Sequence, residues 1–192
     1  CTDAAGQTDV MRGEETQIWG ADAPPGSCCL LPGTHSKWAW LGDGGAIAHF
    51  ATYMTGELYA LLTQHGILGR LMQFGASSPD DLAAGVRLGL QGGAGLSHTL
   101  FAARTAGLTG RVPPQGLPDF LSGILIGAEL GAATADWSAA ARRQGVTLIG
   151  DAALCQRYEW ALQLQGIASR RAPDTATVAG QWRLALALGL VG

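Results

Sequence analysis

Apolar and polar positions along the 192-residue chain change their period twice, and those changes divide the sequence into three stretches. Residues 13–21 carry helical spacing, with Glu14 and Glu15 in the first turn where the helix dipole favours acids. The sequence APPGS at 23–27 is a clear break, and the apolar run at 28–31 reads as a buried strand. After a loop at 32–36, residues 37–41 and 46–52 alternate around Gly42-Asp43-Gly44-Gly45, which predicts a hairpin. The period then becomes helical. Residues 56–68 place Leu58, Leu61, Leu62 and His65 on one face. Further helices are predicted at 80–90, opened by Ser78-Pro79, and at 97–106, before the break at Pro113-Pro114. Residues 117–133 are apolar almost all round, the pattern of a long buried helix. In the last stretch a strand at 146–149 ends at Gly150-Asp151. A helix at 154–165, a strand at 167–169 and a helix at 175–190 follow. Trp137, Trp160 and Trp182 fall within predicted helices and are expected in the core. This order predicts an α/β fold with one mixed sheet covered by helices, as a single domain over 1–192.

Composition narrows the function. With 47% hydrophobic and 14% charged residues the chain is globular, and its 29 glycines are scattered, which points to many tight turns. A net charge of -3 and the lack of any Lys/Arg run argue against a nucleic-acid partner. The apolar stretches at 120–133 and 184–192 are shorter than the roughly 20 residues that span a bilayer, so no membrane partner is expected. No basic region followed by an apolar core marks a signal peptide, and a cytoplasmic location is expected. The chain begins at Cys1 rather than Met, from which we expect a fragment or processed product. Cys1, Cys28, Cys29 and Cys155 form no CxxC pair and are expected as buried thiols, with Cys28 and Cys29 on opposite faces of a strand. The histidines show no metal-ligand spacing, and Gly92-Gly93-Ala94-Gly95 reads as a linker because no strand precedes it.

Three constellations could carry chemistry. Gly13-Glu14-Glu15 puts two carboxylates at a glycine turn opening a helix. One of them could take a proton from a substrate hydroxyl, although first-turn acids also simply complement the dipole. The turn Pro32-Gly33-Thr34-His35-Ser36-Lys37 lies between two predicted strands. Its backbone N–H groups, the Thr34 hydroxyl and the Lys37 ammonium suit a phosphate or carboxylate, and an ordinary polar hairpin loop is the other reading. It lacks the GxxxxGK[ST] spacing of a Walker A loop. The strand end Gly150-Asp151, followed by a helix, is where open α/β sheets bind ligands, or else a plain connection.

Four blocks, in order and spacing, resemble the 2-dehydro-3-deoxygalactonokinase family: DVMRGEETQ at 9–17, LPGTHSKW at 31–38, TYMTGEL at 52–58 and FLSGILIGAE at 120–129. The resemblance runs from about residue 9 to the C-terminus. It implies the C-terminal domain of the actin-like (ribonuclease H-like) sugar kinase/Hsp70 ATPase fold, in which nucleotide lies between two α/β domains. It also implies transfer of the ATP γ-phosphate to the 6-hydroxyl of 2-dehydro-3-deoxy-D-galactonate in D-galactonate breakdown, with ATP and Mg²⁺ as cofactors. By this resemblance Gly33 and Thr34 contact phosphate, beside the Lys37 read from the turn's own chemistry, and Gly150 and Asp151 contact adenosine. Glu14 or Glu15 is the base, and Arg12 and Glu57 border the sugar acid. No residue of this chain is implied as a metal ligand. The family's Asp-x-Gly-[Ser/Thr] strand is absent from this sequence, so an N-terminal kinase domain is expected as a missing partner. A second copy of the chain is an open partner class. Two alternatives are a non-catalytic module binding nucleotide or sugar acid, and a kinase of the same fold for another sugar or sugar acid.

Overall fold

The computed structural model describes residues 8–93 and 95–191. Residues 1–7, Cys1 among them, Ala94 of the expected linker and Gly192 lie outside the described residues. The elements run α1 (Glu14–Gly20), β1 (Cys28–Leu31), β2 (Ser36–Leu41), β3 (Ile47–Tyr53), α2 (Thr55–Gln64), a 3-10 turn (Leu68–Leu71), α3 (Pro79–Gln91), α4 (Leu96–Leu108) and α5 (Leu117–Ala133). They continue with α6 (Ala139–Gln144), β4 (Val146–Leu148), α7 (Ala152–Leu164), β5 (Ser169–Arg171) and α8 (Ala176–Ala187). The chain divides into two compact units. Residues 1–53, 137–156 and 167–192 form the first, and residues 54–136 and 157–166 the second.

The first unit is built on a five-stranded sheet in the order β3-β2-β1-β4-β5. β2 is antiparallel to β1 and β3, whereas β4 runs parallel to β1 and to β5. The mixed α/β architecture expected from the sequence is therefore present. Pairing of Cys29 with Ala39, and of Ala39 with Phe50, sets one apolar row across the sheet. Ile18 and Ala21 of the α1 region and Ala176 of α8 close over this face, burying Leu31, Leu41 and Ile149 as well. α1 and α8 approach closely because two glycines meet there. A Cβ on Gly20 would run into the Ala176 carbonyl, and one on Gly180 into the Thr16 carbonyl. On the other face Trp38 is fully buried. It stacks with Trp40 at 6.4 Å between ring centroids and meets Trp137 edge-on at 6.2 Å. Cys28, Cys29 and Cys155 are buried free thiols, as expected. Burial pushes Cys29 up to about 12 against the opposing charge of Arg170, and raises Cys28 well above its ordinary value.

The second unit is helical. Its core joins Leu68, Ala103, Ala106, Val112, Leu117, Phe120, Leu121, Ile124 and Leu125. α3 and α5 touch backbone to backbone through glycines spaced four apart on each helix. A Cβ on Gly85 would strike the Phe120 carbonyl, on Gly89 that of Ile124, on Gly123 that of Leu82, and on Gly127 that of Val86. Two carboxylates are buried within this unit and both are answered. Glu129 accepts hydrogen bonds from the hydroxyls of Thr55 and Tyr158, the latter at 2.7 Å. Asp119 pairs with Arg157 at 2.6 Å and accepts from the Ser78 N–H.

Several expectations need correction. The helix read over 56–68 stops at Gln64, and Leu61 (45% exposed) and His65 face outward, because Leu58, Tyr59 and Leu62 supply its packing face. Trp160 and Trp182 are surface residues, 38% and 57% exposed. α7 buries the stripe Cys155, Tyr158, Ala161 and Leu162 instead, and α8 buries only Ala176 and Gly180. Trp137 is half-buried against Trp38 rather than in the core, and it precedes α6, a short helix the pattern does not announce. The close helix pair gives the first test. Gly123→Ala should destabilise the protein by about 1–3 kcal/mol in urea unfolding, as overpacking does, whereas Gly33→Ala, with nothing near its Cβ, should shift the midpoint little.

Candidate active site

β1 is the strand at which the sheet changes sense, with an antiparallel neighbour on one side and a parallel neighbour on the other. Loops leaving the carboxyl ends of such neighbouring strands diverge and leave room for a ligand. Here they are residues 32–35 after β1 and 149–151 after β4. The ladder runs one residue past β4, with the Ile149 N–H donating to the Leu30 carbonyl at 3.0 Å, so the two loops emerge side by side. A Cβ on Gly150 would lie 3.6 Å from the Pro32 carbonyl oxygen. Gly150 has φ 142°, a conformation that demands glycine. Gly33 is different: no protein atom lies within 4 Å of the position its Cβ would take. Thr34 and His35 beside it are exposed. Space is thus open beside the Gly33 Cα, on a side from which an anion could approach the turn. Asp151 caps α7, its Oδ1 accepting from the Leu154 N–H at 2.9 Å. That cap starts the helix at Ala152, two residues earlier than its apolar pattern suggests.

Gly13 takes up a left-handed conformation (φ 101°) ahead of α1. Both glutamates fold back over this turn. Glu14 Oε2 accepts from the Arg12 N–H at 2.7 Å, and Glu15 Oε2 from the Gly13 N–H at 2.8 Å. Their surroundings differ. Glu15 is exposed and lines a groove of about 560 Å³ with Trp19, Ile47 and Leu184, together with the turn at 44–46. That turn caps the far end of β2, roughly 20 Å from the 32–35 turn at about 3.3 Å per residue. Glu14 is half-buried and is not part of that groove.

Lys37 follows the turn directly, yet it is only 6% exposed. Its Nζ donates to Thr52 Oγ1 at 2.7 Å, and Thr52 Oγ1 donates to Asp9 Oδ1 at 2.7 Å. Burial acts to raise the Asp9 carboxyl. The bonds from the Thr52 hydroxyl and from backbone N–H groups, with the Lys37 charge, outweigh it and hold Asp9 below its ordinary value. Asp9 and Thr52 open two of the sequence blocks quoted above, but neither carries a role that spacing could reveal. Arg12 is exposed. Glu57 stands in the first turn of α2, in the second unit.

A family model described as 2-keto-3-deoxy-galactonokinase matches residues 1–184. The chain belongs to this family. Among curated relatives, the 2-dehydro-3-deoxygalactonokinase of Escherichia coli (strain K12) is 41% identical over 174 residues, covering 90% of this chain and 58% of the relative. A Rhizobium meliloti (strain 1021) protein assigned the same activity is 36% identical over 183 residues, covering 90% of this chain and 57% of the relative. A crystal structure of a Sinorhizobium meliloti protein assigned as a 2-dehydro-3-deoxygalactonokinase superposes with a TM-score of 0.84 at 34% identity. That match covers 95% of this chain and 62% of the other. The chain therefore spans less than two thirds of the length of these kinase-family relatives. No helix among the described residues is long and apolar enough to cross a membrane.

Among the described residues, no group of three His, Cys, Asp or Glu side chains is arranged to hold a metal ion. The cap at Asp151 supplies a test of the local structure. Asp151→Ala should lower stability by about 1 kcal/mol in thermal or urea unfolding, while Asp151→Asn, which can still cap, should stay near wild type.

Proposed function

We propose that this chain forms the nucleotide-side part of a kinase that phosphorylates a sugar acid, 2-dehydro-3-deoxy-D-galactonate, at its 6-hydroxyl. The observation that carries this reading is that the loops at 32–35 and 149–151 lie side by side at the strand carboxyl ends, in a chain of the 2-keto-3-deoxy-galactonokinase family. In this reading the amides of Gly33 and Thr34, with the Thr34 hydroxyl, receive phosphate oxygens of MgATP. Lys37 adds a positive charge at the root of the turn, and Gly150 and Asp151 border the adenosine. An N-terminal kinase domain supplies the rest of the cleft and the surroundings of the metal that arrives with ATP.

The step itself is an in-line displacement. The sugar-acid hydroxyl oxygen bonds to the γ-phosphorus as the bond to the β–γ bridging oxygen breaks, and ADP leaves. The hydroxyl proton passes to a carboxylate at the start of α1, for which we take Glu14, with Glu15 as the alternative. The exposed Arg12 guanidinium is suited to the substrate carboxylate. Phosphoryl transfer leaves little covalent work to protein groups, so positioning and charge neutralisation carry most of the acceleration.

The test is steady-state kinetics with the N-terminal domain present. Glu14→Gln should lower kcat about 10²–10⁴-fold with KM for ATP little changed, and Glu15→Gln should stay within a few-fold of wild type. Wild-type protein that phosphorylates no sugar acid would contradict the reading, and full activity in Glu14→Gln would remove Glu14 from its role.

A further inference from the structure

The residue that follows the phosphate turn does not reach outward from it. Lys37 is buried, and its ammonium is taken by Thr52, whose hydroxyl proton is directed to Asp9. Leu31, Lys37 and Thr52 occupy one row of the sheet, since Lys37 pairs with Leu31 on β1 and with Thr52 on β3. That row lies at the same end of β1 and β2 as the 32–35 turn. Asp9 is four residues ahead of Gly13 and five ahead of Glu14, and between them Met11 packs against the sheet core while short-range bonds fix the backbone. Val10 N–H is held by Asp9, Arg12 N–H by Glu14 and Gly13 N–H by Glu15.

We propose that Lys37, Thr52 and Asp9 form a positioning strap that fixes the segment delivering Glu14 to the sheet end carrying the phosphate turn. The proposal rests on the reading of Glu14 and the turn given above, and it changes the part played by Lys37. A lysine beside a phosphate turn is ordinarily a direct ligand of the anion. Here reaching a phosphate would break the bond to Thr52 and draw the ammonium away from the Thr52–Asp9 pair. Thr52 is the centre of the relay, because its single hydroxyl accepts from one partner while donating to the other. Lys37, Thr52 and Asp9 touch neither substrate in this account. They act through the backbone they hold.

Thr52→Val removes the hydroxyl at constant shape, and Thr52→Ser restores it. In the 192-residue chain, hydrogen exchange at the amides of Val10, Arg12 and Gly13 should quicken about ten-fold in Thr52→Val and return toward wild type in Thr52→Ser. With the N-terminal domain present, Thr52→Val should lower kcat about ten-fold or more with KM for ATP within about two-fold, as expected of misplacement. Lys37→Met should follow the same pattern. Should Lys37→Met instead weaken MgADP binding by ten-fold or more while Thr52→Val leaves exchange and kcat unchanged, the strap is overturned and Lys37 is a phosphate ligand. Exchange reports on the strap even if no sugar acid is phosphorylated, so failure of the kinase reading and failure of the strap give different results.

Discussion

β1 pairs with β2 in one sense and with β4 in the other, and the chemistry proposed for this chain depends on that choice. Parallel pairing of Cys28–Leu30 with Val146–Leu148 brings two segments more than a hundred residues apart to the same edge of the sheet. It sends both following loops out at that edge, where Gly150 stands over the Pro32 carbonyl and Gly33 has no side-chain neighbour. Were β4 antiparallel, the 149–151 loop would leave from the opposite end and the two would never meet. The apolar row beneath them, covered by α1 and α8, holds this arrangement, and α1 is the same helix that carries the two glutamates at its start.

Close backbone contact recurs in both units and has one cause. Glycines on α3 and α5, and on α1 and α8, remove the side chains that would keep paired helices apart. Each such pair gains packing contact along its length, and a single added methyl group would strike a carbonyl. The buried charges follow an equally simple rule. Glu129 is met by two hydroxyls and Asp119 by a guanidinium and an amide, so the helical unit holds two carboxylates without leaving either bare.

Much of this was legible in the residues. The span of α5 matches its apolar run, the Asp43-Gly44 bend joins β2 and β3, and Ser78-Pro79 opens α3, because each depends on neighbours close in sequence. The glycine ladder was also written there as paired Gly-x-x-x-Gly spacings at 85–89 and 123–127, though spacing alone does not name the partner helix. The fate of Lys37 was not legible. Its partner Thr52 is 15 residues ahead in the chain, and Asp9 lies 43 residues back from Thr52, so local chemistry suggests a phosphate ligand where the fold makes a buried donor. Nor could spacing separate Glu14 from Glu15, since both sit in one helical turn and only the position of the 44–47 turn distinguishes their surroundings. Trp182 misleads for a related reason. Its helix packs through Ala176 and Gly180, and small residues give a weak apolar signal.

The central claim is that the loops after β1 and β4 receive the nucleotide. A titration of isotope-labelled chain with MgADP, followed by amide chemical shifts, tests it most directly. The account predicts that the largest shifts fall on Gly33, Thr34, Gly150 and Asp151 and that the amides of Gly44, Gly45 and Ala46 stay in place. Shifts centred on the groove at 44–47, with the two loops unmoved at saturation, would contradict it.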